Sequence, residues 1–281
     1  MSVLGATPLL ADVGYQSNWV SILGEPFMRN AFIGGVLVAL AGGLIGYFVV
    51  IREGEFAAHA LGHIGFPGAT GAVLLGLSPT LGLAVFCIGG ALVIGALGQR
   101  AREQAVATGT ILAFATGLGV LFASLASRST STLTNVLFGN LLAISAGQIA
   151  VFAGVTVLIA AVLAVVARPL TLASVNPEVA AAKGLPVRAL SICFLVLMAL
   201  ATTMAVQVVG TLLLFALLVT PPATALRLTA RPARVCGLAT AIGLVSVVAG
   251  LVISVMFNLP PSFFIVSIAT LIWAVTTAVT R

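Results

Sequence analysis

The sequence predicts an all-α, polytopic membrane protein with about nine transmembrane helices, eight being the alternative count. Three observations lead there. Hydrophobic residues make up 61% of the 281 and charged residues only 6%, with mean hydropathy +1.27, whereas soluble domains carry about 25% charge. The few charges divide the chain into charge-free runs that accommodate spanning helices of about 20 apolar residues. The basic residues then gather on one side of the resulting topology.

The charge-free runs are 30–51, 56–99, 104–127, 129–167, 189–226 and 235–280. The first and third hold one span each. The second holds two, broken at Gly76-Leu-Ser-Pro79-Thr80. The fifth breaks near Gln207-Val-Val-Gly210 and the sixth at Asn258-Leu-Pro260-Pro261, because Gly and Pro punctuate helices. In the fourth run only 149–167 is apolar enough to span. Its first half, Ser129–Gln148, is rich in Ser, Thr, Asn and Gly and reads as a surface or re-entrant segment.

Nine spans with Arg52 cytoplasmic put ten basic residues inside and two, Arg29 and Arg128, outside. The N-terminus is then outside and the C-terminus cytoplasmic. Residues 1–28 read as an extracytoplasmic segment without a cleavable signal peptide, and 29–281 as a single transmembrane domain. The excess of 12 Lys and Arg over 6 Asp and Glu is read as topological, with no nucleic-acid partner. The bilayer is the partner that composition demands. Cys87, Cys193 and Cys236 lie singly in apolar segments and fit neither a disulfide framework nor a metal knuckle.

The longest cytoplasmic connection is 169–187. Within it, Asn176-Pro177-Glu178-Val-Ala-Ala-Ala-Lys183-Gly184 has every signal of a short helix. Asn176 caps it and Pro177 suits its first position. Glu178 and Lys183 oppose the helix dipole at the two ends, and Gly184 can close it. It is either a plain connector or a docking element for a cytoplasmic partner. A second punctuated stretch, Gly210–Ala225, carries Thr220-Pro221-Pro222. Consecutive prolines break or kink a span, and freed carbonyls there can line a polar path; a kink satisfied by neighbours is the plainer alternative.

The only two histidines, His59 and His63, stand four apart and share one helical face. At ~1.5 Å per residue they lie roughly 10 and 16 Å along a helix that begins near Arg52. Together they can chelate a Zn, Mn, Fe, Cu or Ni ion; a pair of neutral histidines bonded between helices is the structural alternative. Hydrolase chemistry is disfavoured, because a zinc protease helix needs Glu after its first His and Ala60 stands there. None of Glu25, Glu53, Glu55, Glu103 or Glu178 falls inside a span. A path with little negative charge releases an ion readily, which suits a conduit.

Four stretches in order resemble the ABC-3 permeases, the membrane subunits of bacterial zinc/manganese ABC importers. These are Pro26-Phe-Met-Arg29-Asn-Ala31, Phe48–Arg52 with His59-Ala-Leu-Gly-His63-Ile-Gly-Phe-Pro67-Gly68, Asn176–Gly184, and Val209-Gly210-Thr–Pro221-Pro222-Ala-Thr224-Ala. The resemblance covers roughly 26–280. It implies a permease domain with His59 and His63 on the metal path, and Asn176, Pro177, Glu178, Lys183 and Gly184 as the element that couples to the ATPase. It leaves Thr220, Pro221 and Pro222 as path-lining or kink residues.

It also implies a homodimer in the bacterial cytoplasmic membrane, a cytoplasmic ABC ATPase dimer and an extracytoplasmic metal-binding protein. No permanent cofactor is implied, only a transported Zn or Mn ion. The chain is not an enzyme on this reading, since it has no Walker loop and ATP hydrolysis falls to the partner. His59 and Asn176 stand where the family usually has Asp. Two imidazoles tilt the preference slightly toward zinc over manganese. The rival readings are a metal carrier that needs no ATPase, and a siderophore permease.

Overall fold

The computed structural model describes residues 19–97, 101–125, 137–211 and 214–280. Residues 1–18, residues 129–136 of the segment expected over Ser129–Gln148, and Arg100, Arg128 and Arg281 of the charge count lie outside them. Among the described residues the fold is all-helical, without strands.

The helices are α1 (Trp19–Leu23), α2 (Pro26–Ile51), α3 (Glu55–Leu74), α4 (Pro79–Leu97), α5 (Ala101–Leu125), α6 (Ala146–Val175), α7 (Pro177–Ala182), α8 (Val187–Val209), α9 (Leu214–Leu218), α10 (Thr220–Leu228), α11 (Pro232–Phe257) and α12 (Pro261–Val279). Their starts follow local chemistry. Proline opens α2, α7 and α11, where its missing N–H has no intrahelical acceptor to lose. Ser145 and Gln148 form a reciprocal capping box at α6. Asn176 Oδ1 accepts from Val179 N at 3.0 Å to cap α7, and Gly184 closes it at φ +76°. The expected breaks at 76–80, 207–210 and 258–261 are all present.

Seven of these helices (α2, α4, α5, α6, α8, α11 and α12) are long and apolar enough to cross a membrane. Two of the nine expected spans differ. Helix α3 is 20 residues long, but its histidines and glycines dilute its hydropathy. The stretch 210–226 is not one helix. It turns at Gly210 and resumes as α9 and α10, and Leu214–Leu228 covers only ~22 Å at ~1.5 Å per residue. Helix α6 also runs through Pro169 to Val175, so the connection expected over 169–187 shrinks to 176–186. In the ambiguous segment, the described residues 137–145 hold two helical residues, Leu137 and Phe138, and a short 3-10 turn, Leu141–Ala143, rather than a span.

Helices α2 and α8 form the buried centre. α3 lies between α4 and α5, and α11 and α6 both pack on α2. Two crossings rest on glycine. A Cβ on Gly68 of α3 or Gly82 of α4 would collide with the other's carbonyl. A Cβ on Gly139 would strike Gly210 N and the Val208 carbonyl, one on Gly210 would strike Gly139 N and the Leu137 carbonyl, and both have positive φ, which a side chain would strain. Such contacts are the small-residue packing of membrane helices, where backbones approach closely.

Candidate functional site

Helix α3 starts one turn after α2 ends. Gly54 N donates to Val49 O at 2.8 Å, and Glu53 takes φ +53° to make the reversal. From this start, His59 and His63 fall on the stripe that continues through Phe66 and Pro67. That stripe faces α5, because a Cβ at Gly119 would strike Phe66 and Pro67, and one at Gly71 would strike Phe122. The two contacts fix a parallel register, which sets 108–115 of α5 beside 56–63.

The imidazoles are half-buried and meet edge to face, with ring centroids 4.8 Å apart. His59 Nδ1 is buried without a hydrogen-bond partner, a condition that costs roughly 1–3 kcal/mol for a neutral polar atom. The hydroxyl of Thr108, in the adjacent stretch of α5, is likewise buried and unpaired. A nitrogen left this way is available to a ligand. No group of three or more His, Cys, Asp or Glu side chains converges on the pair among the described residues, so one copy offers a dication two imidazoles and no charge.

Helix α7 projects at the end of the bundle where α2 stops. Arg52 joins the two. Its guanidinium donates to Ser174 Oγ of α6 at 3.1 Å and to Ser191 Oγ of α8 at 2.7 Å. It also lies 5.1 Å above the Phe194 ring, within cation–π range. Ser174 and Ser191 flank the α7 hairpin, and Arg52 is three residues before the start of the histidine helix. In the sequence Arg52 has a place in the topology and in the resembling stretch Phe48–Arg52, but no partner. Glu53 and Glu55 closely follow Arg52 in the sequence, so no local signal points to partners on α6 and α8.

At the opposite end Gln207, expected only as part of a helix break, is a second hub. Its Oε1 accepts from Thr80 Oγ1 and from Gln148 Nε2, both at 3.0 Å, and its backbone oxygen accepts from Asn140 N at 3.0 Å. These four residues supply the polar part of the lining of a cavity of about 230 Å³ between α3, α4, α6 and α8, whose other walls are apolar. Gln207, in an otherwise apolar run, is the signal the sequence offers. The residues expected at the proline break are elsewhere: Pro221 and Pro222 form the first turn of α10, and Pro222 packs on Gly46 of α2. Thr220 lends its carbonyl to Thr224 Oγ1 at 2.8 Å. The structure does not bring this turn against the histidines.

With this geometry in hand, comparison with known proteins decides the family, since the model of the ABC 3 transport family matches residues 25–280. The chain is a member of that family. It is similar to the manganese transport system membrane protein MntC of Listeria innocua, 34% identical over 248 residues and 88% of each chain. It is also similar to the manganese import system permease protein ScaB of Streptococcus gordonii, 30% identical over 89% of this chain and 90% of that one. Its fold matches a solved structure described as PsaBC from Streptococcus pneumoniae in complex with Fab, with TM-score 0.82 and 28% identity over 92% of this chain and 94% of that one. A multi-pass membrane transport subunit is what the family and the apolar helices together establish. The tilt toward zinc drawn from His59 gains no support, since both named relatives are manganese proteins.

Proposed function

We propose that this chain is the permease subunit of an ATP-driven divalent transition-metal importer, with manganese as its cargo. One observation carries the reading: the His59–His63 pair, with a buried, unpartnered ring nitrogen, on a helix of an ABC 3 transport chain. The manganese assignment leans on the relatives named for that metal. Two imidazoles leave a dication short of ligands, so a second copy of the chain is expected to complete the site across a two-fold axis. That completion also fits a conduit, because a weakly charged site releases its ion.

The orientation has the N-terminus outside and the C-terminus in the cytoplasm of a bacterial cell, with nine crossings counted when α3 and the broken α9–α10 pair are included. An extracytoplasmic metal-binding protein then delivers the ion. Cytoplasmic ATPases dock on α7, through Asn176, Pro177, Glu178, Lys183 and Gly184. Arg52 supplies the link from that hairpin to the histidine helix. The turn at Thr220, Pro221 and Pro222 is assigned to the walls rather than to metal binding.

Proteoliposomes holding this chain with its ATPase test the assignment. His63→Ala should abolish ATP-dependent Mn²⁺ uptake while membrane insertion is retained; undiminished uptake overturns the role of the pair. Replacing His59 with Asp separates the cargoes. It should raise the Mn²⁺ to Zn²⁺ uptake ratio, because a carboxylate suits manganese better than imidazole does. Exclusive Zn²⁺ transport by the native chain would overturn the manganese assignment. Charge reversal at Glu178 together with Lys183→Glu should leave ATP hydrolysis uncoupled from uptake; normal coupling would count against α7 as the docking element.

A further inference from the structure

A large cavity outside the metal path has a composition suited to one class of ligand. Helices α6 and α11 each pack against α2 but not closely against each other, which leaves a trench of about 930 Å³ between them. Its floor is Tyr47 and Phe48 of α2, both buried. One wall is the α6 stripe Ala160, Ala164, Ala167 and Arg168, in which the small residues sit three or four apart and hollow out that face. The opposite wall is the start of α11 at Pro232. Along α6 the lining runs from Ala160 to Val175, roughly 22 Å at ~1.5 Å per residue. That length covers the ~15 Å half of a ~30 Å hydrocarbon core and reaches into the interface.

Arg168 is exposed in this otherwise apolar lining. Arg231 and Arg234, also exposed, bracket Pro232 and Ala233 of the far wall. No carboxylate lines the trench. An apolar slot on a membrane-facing bundle, topped by cations without acids, matches a phospholipid with a negatively charged headgroup. A second copy of the chain fits poorly, because a two-fold seam through this slot would bring each Arg168 toward the same basic surface of its partner, and like charges oppose association.

We propose that the trench between α2, α6 and α11 is a binding site for an anionic phospholipid, with one acyl chain laid along the alanine stripe and the phosphate held by Arg168. The long arginine stem lies along the apolar wall while its head reaches the interface. Filling the slot braces the last turns of α6, where Thr171 and Leu172 line it and Ser174 receives Arg52. The site depends only on membrane residence, not on the identity of the transported ion.

The test uses the full chain, purified in detergent, stripped of lipid and titrated with phosphatidylglycerol or phosphatidylcholine under native mass spectrometry. The first phosphatidylglycerol should bind at about fivefold lower concentration than phosphatidylcholine, the effect expected of one basic residue at a lipid surface. Arg168→Gln should erase that difference, and Ala164→Phe should remove the bound lipid of either kind by filling the slot. Thermal unfolding followed by intrinsic tryptophan fluorescence, and monodispersity, check that both variants are folded. Equal retention of the two lipids by the native chain overturns the proposal. So does a folded Ala164→Phe variant that binds phosphatidylglycerol unchanged, or one that instead breaks a dimer while lipid binding persists.

Discussion

The two ends of the bundle are held together by different means. Around Gln207 the closure is made by backbone against backbone: Gly68 on Gly82 and Gly139 on Gly210 leave no room for a Cβ, and neutral amides bridge what remains. Around Arg52 the end of α2 is tied to α6 and α8 by one long side chain reaching two hydroxyls and a ring. The close glycine contacts of α2, Gly43 on Thr240 and Gly46 on Leu218 and Pro222, lie roughly two turns further in. Glycine crossings tolerate almost no relative displacement, because the close-packed atoms are covalently fixed. A guanidinium on a flexible stem can follow moving partners. The end that carries α7 is therefore built to accommodate shifts between helices, and the end around Gln207 to resist them.

Substitutions can break this contrast, and the largest effect belongs at the glycine end. Gly82→Ala places a methyl group into Gly68's carbonyl and should destabilise by about 3 kcal/mol or more, at the upper range of overpacking; a shift in thermal unfolding of the detergent-solubilised chain measures it. If Gly82→Ala proves mild, that crossing is not rigid. Arg52→Met should cost roughly 2–3 kcal/mol, the range for a lost hydrogen bond to a charged group. Arg52→Lys should recover part of it, with ATP-driven transport impaired more than stability.

Gln207→Leu removes the acceptor for Thr80 and Gln148 and should cost about 1–2 kcal/mol, since partners of a neutral bond are left unsatisfied. Slowed hydrogen exchange at the start of α4 in that variant would contradict its role as a hub. The smallest effect has the opposite sign. Glu53→Gly relieves a left-handed backbone at φ +53° and should stabilise the turn by up to about 1 kcal/mol, as compatible Gly sites do not carry the Cβ penalty.

How far the sequence could be read depends on the range of the forces involved. The capped helix at 176–184 was legible to within a residue or two, because Asn176, Pro177 and Gly184 act on backbone groups two or three residues away. The breaks at Pro79, Gly210 and Asn258 were legible for the same reason. The break after Gly210 was half legible: Pro221 and Pro222 announce a break or kink, but the point where the helix stops and restarts is set by the docking of Leu218 and Pro222 on Gly46. The extension of α6 through Pro169 was also missed: proline costs a helix one hydrogen bond and a clash, and burial of Leu170 and Ala173 offsets that loss.

At the candidate site, the shared face of His59 and His63 followed from their spacing, since residues four apart on a helix are neighbours. That Nδ1 of His59 has no partner was not readable, because it depends on which helix covers it. By itself, the sequence determined an all-helical membrane protein, its principal spans, the capped hairpin and the imidazole pair. Each of these rests on composition or on contacts within one turn. Only the tertiary structure decided that Arg52 reaches Ser174 and Ser191, 122 and 139 residues away, that Gln207 gathers three helices, and that α6 and α11 part to leave a trench. Those partners are distant in the chain, and what selects them is the close packing of particular helix faces, which no local pattern encodes.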